Sequence, residues 1–160
     1  MLAESLHNAQ GAKVARLPGI DGSAKMSKSL QNAIYLGEEA ESLSKKVHKM
    51  YTDPNHLRVE DPGQVEGNPV FIYLDAFGKD REKIASLQDH YQRGGLGDSI
   101  VKKYLLEVLE EFIQPIRKKR KEFSTNSHEI WTLLKKGSDK AREFARETLL
   151  QVRKVIQFDY

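Results

Sequence analysis

Two lysines three positions apart, Lys25 and Lys28, stand among serines in the run Ala24-Lys25-Met26-Ser27-Lys28-Ser29-Leu30. The run follows the turn-prone Pro18-Gly19-Ile20-Asp21-Gly22-Ser23, so a loop can carry both ammonium groups on one side. A lysine ammonium is a compact charge on a flexible stem, able to follow phosphate oxygens as charge moves among them. Serine hydroxyls and loop amides add hydrogen bonds without bulk. The combination suits a polyphosphate, and catalysis of nucleotidyl transfer rests largely on charges placed in this way. The same composition also fits a solvated Lys/Ser linker.

The elements that would position this loop are mostly helical. Ahead of it, Lys13-Val14-Ala15-Arg16-Leu17 alternates like a short strand and stops at Pro18. Behind it, Glu38 to Tyr51 takes helical period, with Ala40, Leu43, Val47, Met50 and Tyr51 on one stripe. Acids fill the first turns and lysines the later ones, complementing the helix dipole. Thr52 to Glu66 holds two prolines and a glycine and reads as an irregular connector, expected to lie near the lysine loop.

Asn68 and Pro69 then open a helix that stops at Gly78, and Asp80 caps another over Arg81 to Gln92. Gly94-Gly95-Leu96-Gly97 reads as a helix stop rather than a phosphate cradle. A long helix is predicted from Asp98 to Phe123, kinked at Pro115. Asn126 with Glu129 resembles a capping box for a short helix, His128 to Lys136, ended by Gly137, and Ser138 caps a last helix. The expected fold is mainly α, an antiparallel helical bundle preceded by a short strand and the lysine loop.

Composition bounds the rest. The 160 residues are 39% hydrophobic, enough for one ordinary core. Without cysteine there are no disulfides and no thiolate chemistry. No apolar run approaches a membrane span, and the start lacks the pattern of a signal peptide, so a cytoplasmic protein is expected. His48 and His56 are too isolated to argue a zinc site. The net charge is +3, but Arg117-Lys118-Lys119-Arg120-Lys121, Lys135-Lys136 and Arg153-Lys154 concentrate positive charge late in the chain. Such a patch is the footprint of a nucleic-acid partner, although Glu107, Glu110, Glu111 and Glu122 interleave with it.

Lys25-Met26-Ser27-Lys28-Ser29 matches letter for letter the KMSKS signature of class I aminoacyl-tRNA synthetases. Leu17-Pro18-Gly19, Asn32-Ala33-Ile34-Tyr35-Leu36, Tyr51-Thr52-Asp53-Pro54-Asn55-His56, Arg58-Val59-Glu60-Asp61-Pro62-Gly63 and Glu66-Gly67-Asn68 narrow the likeness. From Arg16 to Ile156 the chain resembles the bacterial tryptophanyl-tRNA synthetases. It departs from them in having no HIGH-type signature, since none of its five histidines begins one. The resemblance therefore implies roughly the C-terminal half, with residues 1–36 a remnant of the catalytic domain and 37–160 a helical tRNA-binding domain.

The family activates tryptophan with ATP and Mg²⁺ and transfers it to tRNA. By position, the resemblance makes Lys25 and Lys28 the catalytic phosphate contacts, with Lys28 the principal stabiliser of departing pyrophosphate. ATP would be bound by Lys25, Met26, Ser27, Lys28 and Ser29, the two serines shaping the loop. Tryptophan would bind through the missing N-terminal half, and a full-length homodimer is expected. This portion alone is expected to be inactive. Arg117, Lys118, Arg142 and Arg146 are nominated as tRNA contacts, and Trp131 as either a stacking platform or a half-buried core residue. The alternatives are a stand-alone tRNA-binding module, a truncated paralogue without catalysis, or a helical interaction protein.

Overall fold

The computed structural model describes residues 16–23 and 25–157. Among them are five helices and no strand: α1 (Ala40–His48), α2 (Pro69–Phe77), α3 (Arg81–Arg93), α4 (Asp98–Ser124) and α5 (Ser127–Val155). The chain is thus mainly α. Lys13 to Ala15 of the expected strand lie outside the described residues, and Arg16 and Leu17 take no regular structure.

Helix α1 is shorter at both ends than its apolar period suggests, and each end has a cause. At the start, the Glu38 carboxylate accepts from Tyr35 N at 3.1 Å, before the helix, and from Ser42 Oγ at 2.5 Å, in its first turn. At the end, the Lys102 ammonium from α4 takes the carbonyls of His48 and Met50, at 3.0 and 2.7 Å. Such a cation at a helix C-terminus satisfies oxygens that have no partner within the helix. Burial holds the Lys102 ammonium below its ordinary range. Tyr51 N donates to Ile20 O at 2.7 Å, drawing the chain away to the lysine loop. Of the expected stripe, Leu43, Val47 and Met50 are buried, whereas Ala40 and Tyr51 are exposed.

Helices α2 and α3 begin as their caps dictate. Asn68 Oδ1 accepts from Val70 N at 3.0 Å with Pro69 at the first helical position, and Asp80 Oδ1 accepts from Lys83 N at 2.9 Å. Gly94 ends α3 at φ +82°, and a Cβ there would overlap the carbonyl oxygen of Glu60. Gly95 N donates to Val59 O at 2.6 Å. The glycine cluster thus both ends a helix and receives the connector that precedes α2. His56 of that connector is buried with its ring 4.6 Å from that of Tyr91, whose hydroxyl donates to Asp98 at 2.7 Å.

Along α4, Val101, Leu105, Leu109 and Ile113 recur every four residues and are buried. They join Leu43, Val47, Val70, Phe71, Tyr73, Leu74, Ile84 and Tyr91 in one core, against which Leu17, Ile20, Met26 and Ile34 also pack. The chain divides into two compact units, one ending at Arg117 and the next beginning at Lys118.

The second unit departs from expectation. Gly137 and Ser138 interrupt nothing: α5 runs unbroken for 29 residues. A Cβ on Gly137 would meet nothing within 4 Å, so no turn or close approach requires glycine there. A helical glycine costs about 1 kcal/mol against alanine, and the flanking Leu, Lys, Ala, Arg and Glu residues outweigh it. Asn126 precedes the helix, but its amide donates to the Glu129 carboxylate and its backbone N–H to Phe123 O, so neither bond of the expected capping box forms. No residue of α5 is buried, and Trp131 is 71% exposed, which excludes the half-buried core reading.

Candidate active-site loop

The loop from Pro18 to Asn32 is organised by one buried amide. Asn32 is 2% exposed. Its Oδ1 accepts from Ser27 N at 2.6 Å. Its Nδ2 donates to Asp21 Oδ1 and Oδ2 at 2.9 and 3.1 Å, to Ser23 Oγ at 2.8 Å and to Lys25 O at 3.3 Å. Its backbone oxygen accepts from Ile20 N at 2.9 Å. A single side chain therefore ties the approach to the signature to its middle.

Asp21 is the counterpart. Ser23 donates to its Oδ1 through the hydroxyl at 2.7 Å and the backbone amide at 3.1 Å. These bonds, with a smaller contribution from Asn32, hold the Asp21 carboxyl below the usual carboxylate range. Gly19 makes the juxtaposition possible, because a Cβ there would overlap both Asn32 Nδ2 and Asp21 Oδ1. Further anchoring comes from Tyr73 of α2, whose hydroxyl donates to Pro18 O at 2.7 Å. Burial pushes that hydroxyl's pKa up, keeping it a donor at any ordinary pH.

Against this frame the signature residues divide by exposure. Met26 packs inward on the core and Ser27 is half-buried. Lys25, Lys28 and Ser29 are exposed. Ser27 Oγ and Ser29 Oγ lie 2.8 Å apart, bracketing Lys28. Gln31 N donates to Lys28 O at 3.2 Å with Gln31 at φ +53°, which closes the loop in a tight turn. Neither lysine takes part in the six ion pairs found among the described residues. Two exposed ammonium groups, in none of those ion pairs, thus stand on a braced loop.

Beside the loop is a cavity of about 680 Å³, bounded by Asp21, Gly22 and Ser23 on one side and by Asp53, Asn55, Gln64 and Glu66 of the connector on the other. The connector thus lies beside the loop, as its length suggested. Asp53 accepts from Asn55 N at 2.9 Å and Gln64 N at 2.8 Å, which keeps its carboxyl below the usual range. No lysine or arginine lines this cavity, so neither signature lysine borders it.

The late basic residues differ among themselves. Arg117 is engaged within the molecule, its Nε donating to Glu38 O at 2.7 Å and its two terminal nitrogens to Glu110 at 3.1 and 3.3 Å. Lys118 and Arg146 are exposed, and Arg142 is exposed but paired with Asp139 at 2.7 Å. Trp131, with His128, Lys135 and Arg142, borders a groove of about 620 Å³ along α5. Residue types and spacing exposed the lysine pair and the basic run, but not the Asn32–Asp21 frame. Its one sequence signal is a polar residue placed directly before the apolar Ala33-Ile34.

The family model for tRNA synthetases class I (W and Y) matches residues 4–114. That match begins upstream of Arg16, where the motif blocks give out. A tryptophan–tRNA ligase of Clostridium longisporum is 56% identical over 147 residues, spanning 92% of this chain and 43% of the relative. One from Streptococcus pneumoniae serotype 4 is 52% identical over 153 residues, spanning 94% and 45%. Among solved structures, the tryptophanyl-tRNA synthetase of Campylobacter jejuni in complex with ADP and tryptophan superposes with a TM-score of 0.75 at 30% identity, covering 94% of this chain and 45% of its own. The chain spans less than half the length of these relatives.

Proposed function

The chain belongs to the class I tRNA synthetases of the W and Y type, and on that premise we propose that it is the C-terminal portion of a tryptophan–tRNA ligase. The complete enzyme would join tryptophan to ATP as tryptophanyl-adenylate, release pyrophosphate, and pass tryptophan to its tRNA. In this reading residues 1–36 belong to the catalytic domain and 37–160 to the helical tRNA-binding domain. The enzyme would work in the cytoplasm as a homodimer and bind tryptophan largely outside this chain.

Within the chain, Lys25 and Lys28 meet the ATP phosphates. Lys28, held between Ser27 and Ser29, takes up the charge that grows on pyrophosphate as its bond to the α-phosphorus lengthens. Met26 anchors the loop while the lysines reach out. Magnesium, which the family uses with ATP, would come with the nucleotide; among the described residues no cluster of three or more His, Asp or Glu side chains is disposed to hold a metal. Lys118, Arg142 and Arg146 would contact the tRNA with Trp131 offering a face for a base, whereas Arg117 would have to give up its bonds to Glu110 and Glu38 to do so.

The observation that carries this reading is the exposure of both lysines on a loop whose neighbouring residues are fixed inward. In the complete synthetase, Lys28→Ala should lower ATP–pyrophosphate exchange about a hundredfold or more and leave tRNA binding intact. Exchange at the wild-type rate would overturn the assignment. A second reading, a tRNA-binding module without catalysis, draws on the eleven Lys and Arg against six Asp and Glu from Lys118 onward. Salt-sensitive tRNA retention with no exchange, even when the complementary part is supplied, would select it.

A further inference from the structure

We propose that Asn32, acting with Asp21, is a positioning residue that sets where the signature lysines stand. The proposal rests on the reading of Lys25 and Lys28 as phosphate contacts and adds what orients them. Lys28 follows directly on Ser27, whose amide is held by Asn32 Oδ1 at 2.6 Å, and the Lys25 carbonyl lies 3.3 Å from Asn32 Nδ2. Both lysines therefore hang from backbone that one buried amide grips at two points. No backbone ladder could do this, since no strand exists among the described residues.

The grip needs both faces of an amide. Oδ1 must accept from Ser27 N, and Nδ2 must donate to the Asp21 carboxylate, which Ser23 already fixes. A side chain with two acceptors would set a second carboxylate against Asp21, and one with no polar group would release Ser27 N and the Lys25 carbonyl together. Preorganised charge loses its catalytic value when it must be reorganised during the reaction. Asn32 is thus expected to influence kcat rather than tryptophan binding.

The chemistry gives the test a pH signature. In the complete synthetase, Asn32→Ala should lower kcat for ATP–pyrophosphate exchange about tenfold or more with the KM for tryptophan unchanged. Asn32→Asp should be as poor at about pH 8 but recover as pH falls toward about 5.5, because two facing carboxylates hold one proton well above the usual range and that proton restores the missing donor. The swap Asp21→Asn with Asn32→Asp, which exchanges donor and acceptor between the two side chains but leaves the Lys25 carbonyl without its Asn32 donor, should recover part of the activity at neutral pH. Gly19→Ala, which keeps every polar group but pushes a Cβ into the Asn32 amide, should behave like Asn32→Ala.

Amide hydrogen exchange on the 160-residue chain supplies an independent arm, with Ser27 N–H protected in the wild type and exposed in Asn32→Ala. Wild-type kcat in Asn32→Ala while Lys28→Ala is inactive would overturn the role of Asn32 and leave the lysines standing. Failure of both variants to alter exchange would overturn the phosphate reading itself. An Asn32→Asp variant equally poor at both pH values and unrescued by the swap would reduce Asn32 to a packing residue. Unchanged protection of Ser27 would refute the grip.

Discussion

Up to Arg117 and beyond it, the chain spends its apolar residues in opposite ways. Every buried residue among those described lies at or before Ile113, and that unit carries seventeen Asp and Glu against fifteen Lys and Arg. From Lys118 onward nothing described is buried, Ile130, Leu133, Leu134, Phe144 and Val155 are exposed, and the balance turns basic. Both regions are helical, so helical sequence alone does not make a core. In the first unit short helices and loops are held by side chains that cross between elements. In the second, which also holds the last turns of α4, the 29-residue α5 is sustained by local hydrogen bonds and pairs such as Asp139 with Arg142.

The largest effect that probes this contrast is a matched pair of truncations. Leu105 is fully buried, so Leu105→Ala should cost about 2–5 kcal/mol through lost burial and the cavity left behind. Leu134, exposed on α5, should change stability by less than about 0.5 kcal/mol when replaced by alanine. Urea titrations of the two variants give the comparison directly. A comparable loss at Leu134 would mean that α5 has a buried partner, and the contrast would fail.

A smaller effect sharpens the account of the first unit by asking how much its polar crossings add. Glu38 and Lys46 meet at 2.6 Å with side chains only 10% and 20% exposed. Burial works against the Glu38 charge, but hydrogen bonds from Lys46, Ser42 and Tyr35 N outweigh it and leave its pKa below the ordinary value. A carboxylate with a depressed folded pKa stabilises above its unfolded value of about 4.3 and loses that contribution as pH falls through the folded one. Glu38→Gln should therefore cost about 1–2 kcal/mol at pH 7, and its melting temperature should converge on that of the wild type as pH falls through the lowered folded pKa. A gap that persists unchanged in acid would show that shape, not charge, is what Glu38 supplies.

How much of this was legible beforehand follows the range of the forces involved. Caps and stops were readable where one residue and its immediate neighbours decide, as at Asn68-Pro69, Asp80 and Gly94. The lysine pair was readable because its chemistry is contiguous. The early end of α1 was not, because the ammonium that takes its carbonyls arrives from Lys102, more than fifty residues away. The Asn32–Asp21 frame was hidden for a similar reason: eleven residues separate the partners, and only the folded loop brings them together. At Gly137 a local rule misled, since glycine weakens a helix without being able to end one alone.

That last position offers the finest test of the contrast, because the sign of the effect decides it. If Gly137 lies within a continuous helix, alanine adds favourable propensity and removes unfolded-state freedom, a gain of about 0.5–1 kcal/mol. If Gly137 ended a short helix in the left-handed region, alanine would strain that turn and destabilise by a similar amount. The backbone of Gly137 is not at positive φ, and a Cβ there meets open space, so Gly137→Ala should stabilise α5. Amide exchange at Lys135 to Lys140 should slow and helical circular dichroism should rise slightly, with no change in the exchange of core amides at Val101 or Leu105. Faster local exchange in the variant would restore the two-helix arrangement and undo the picture of one long, locally sustained helix.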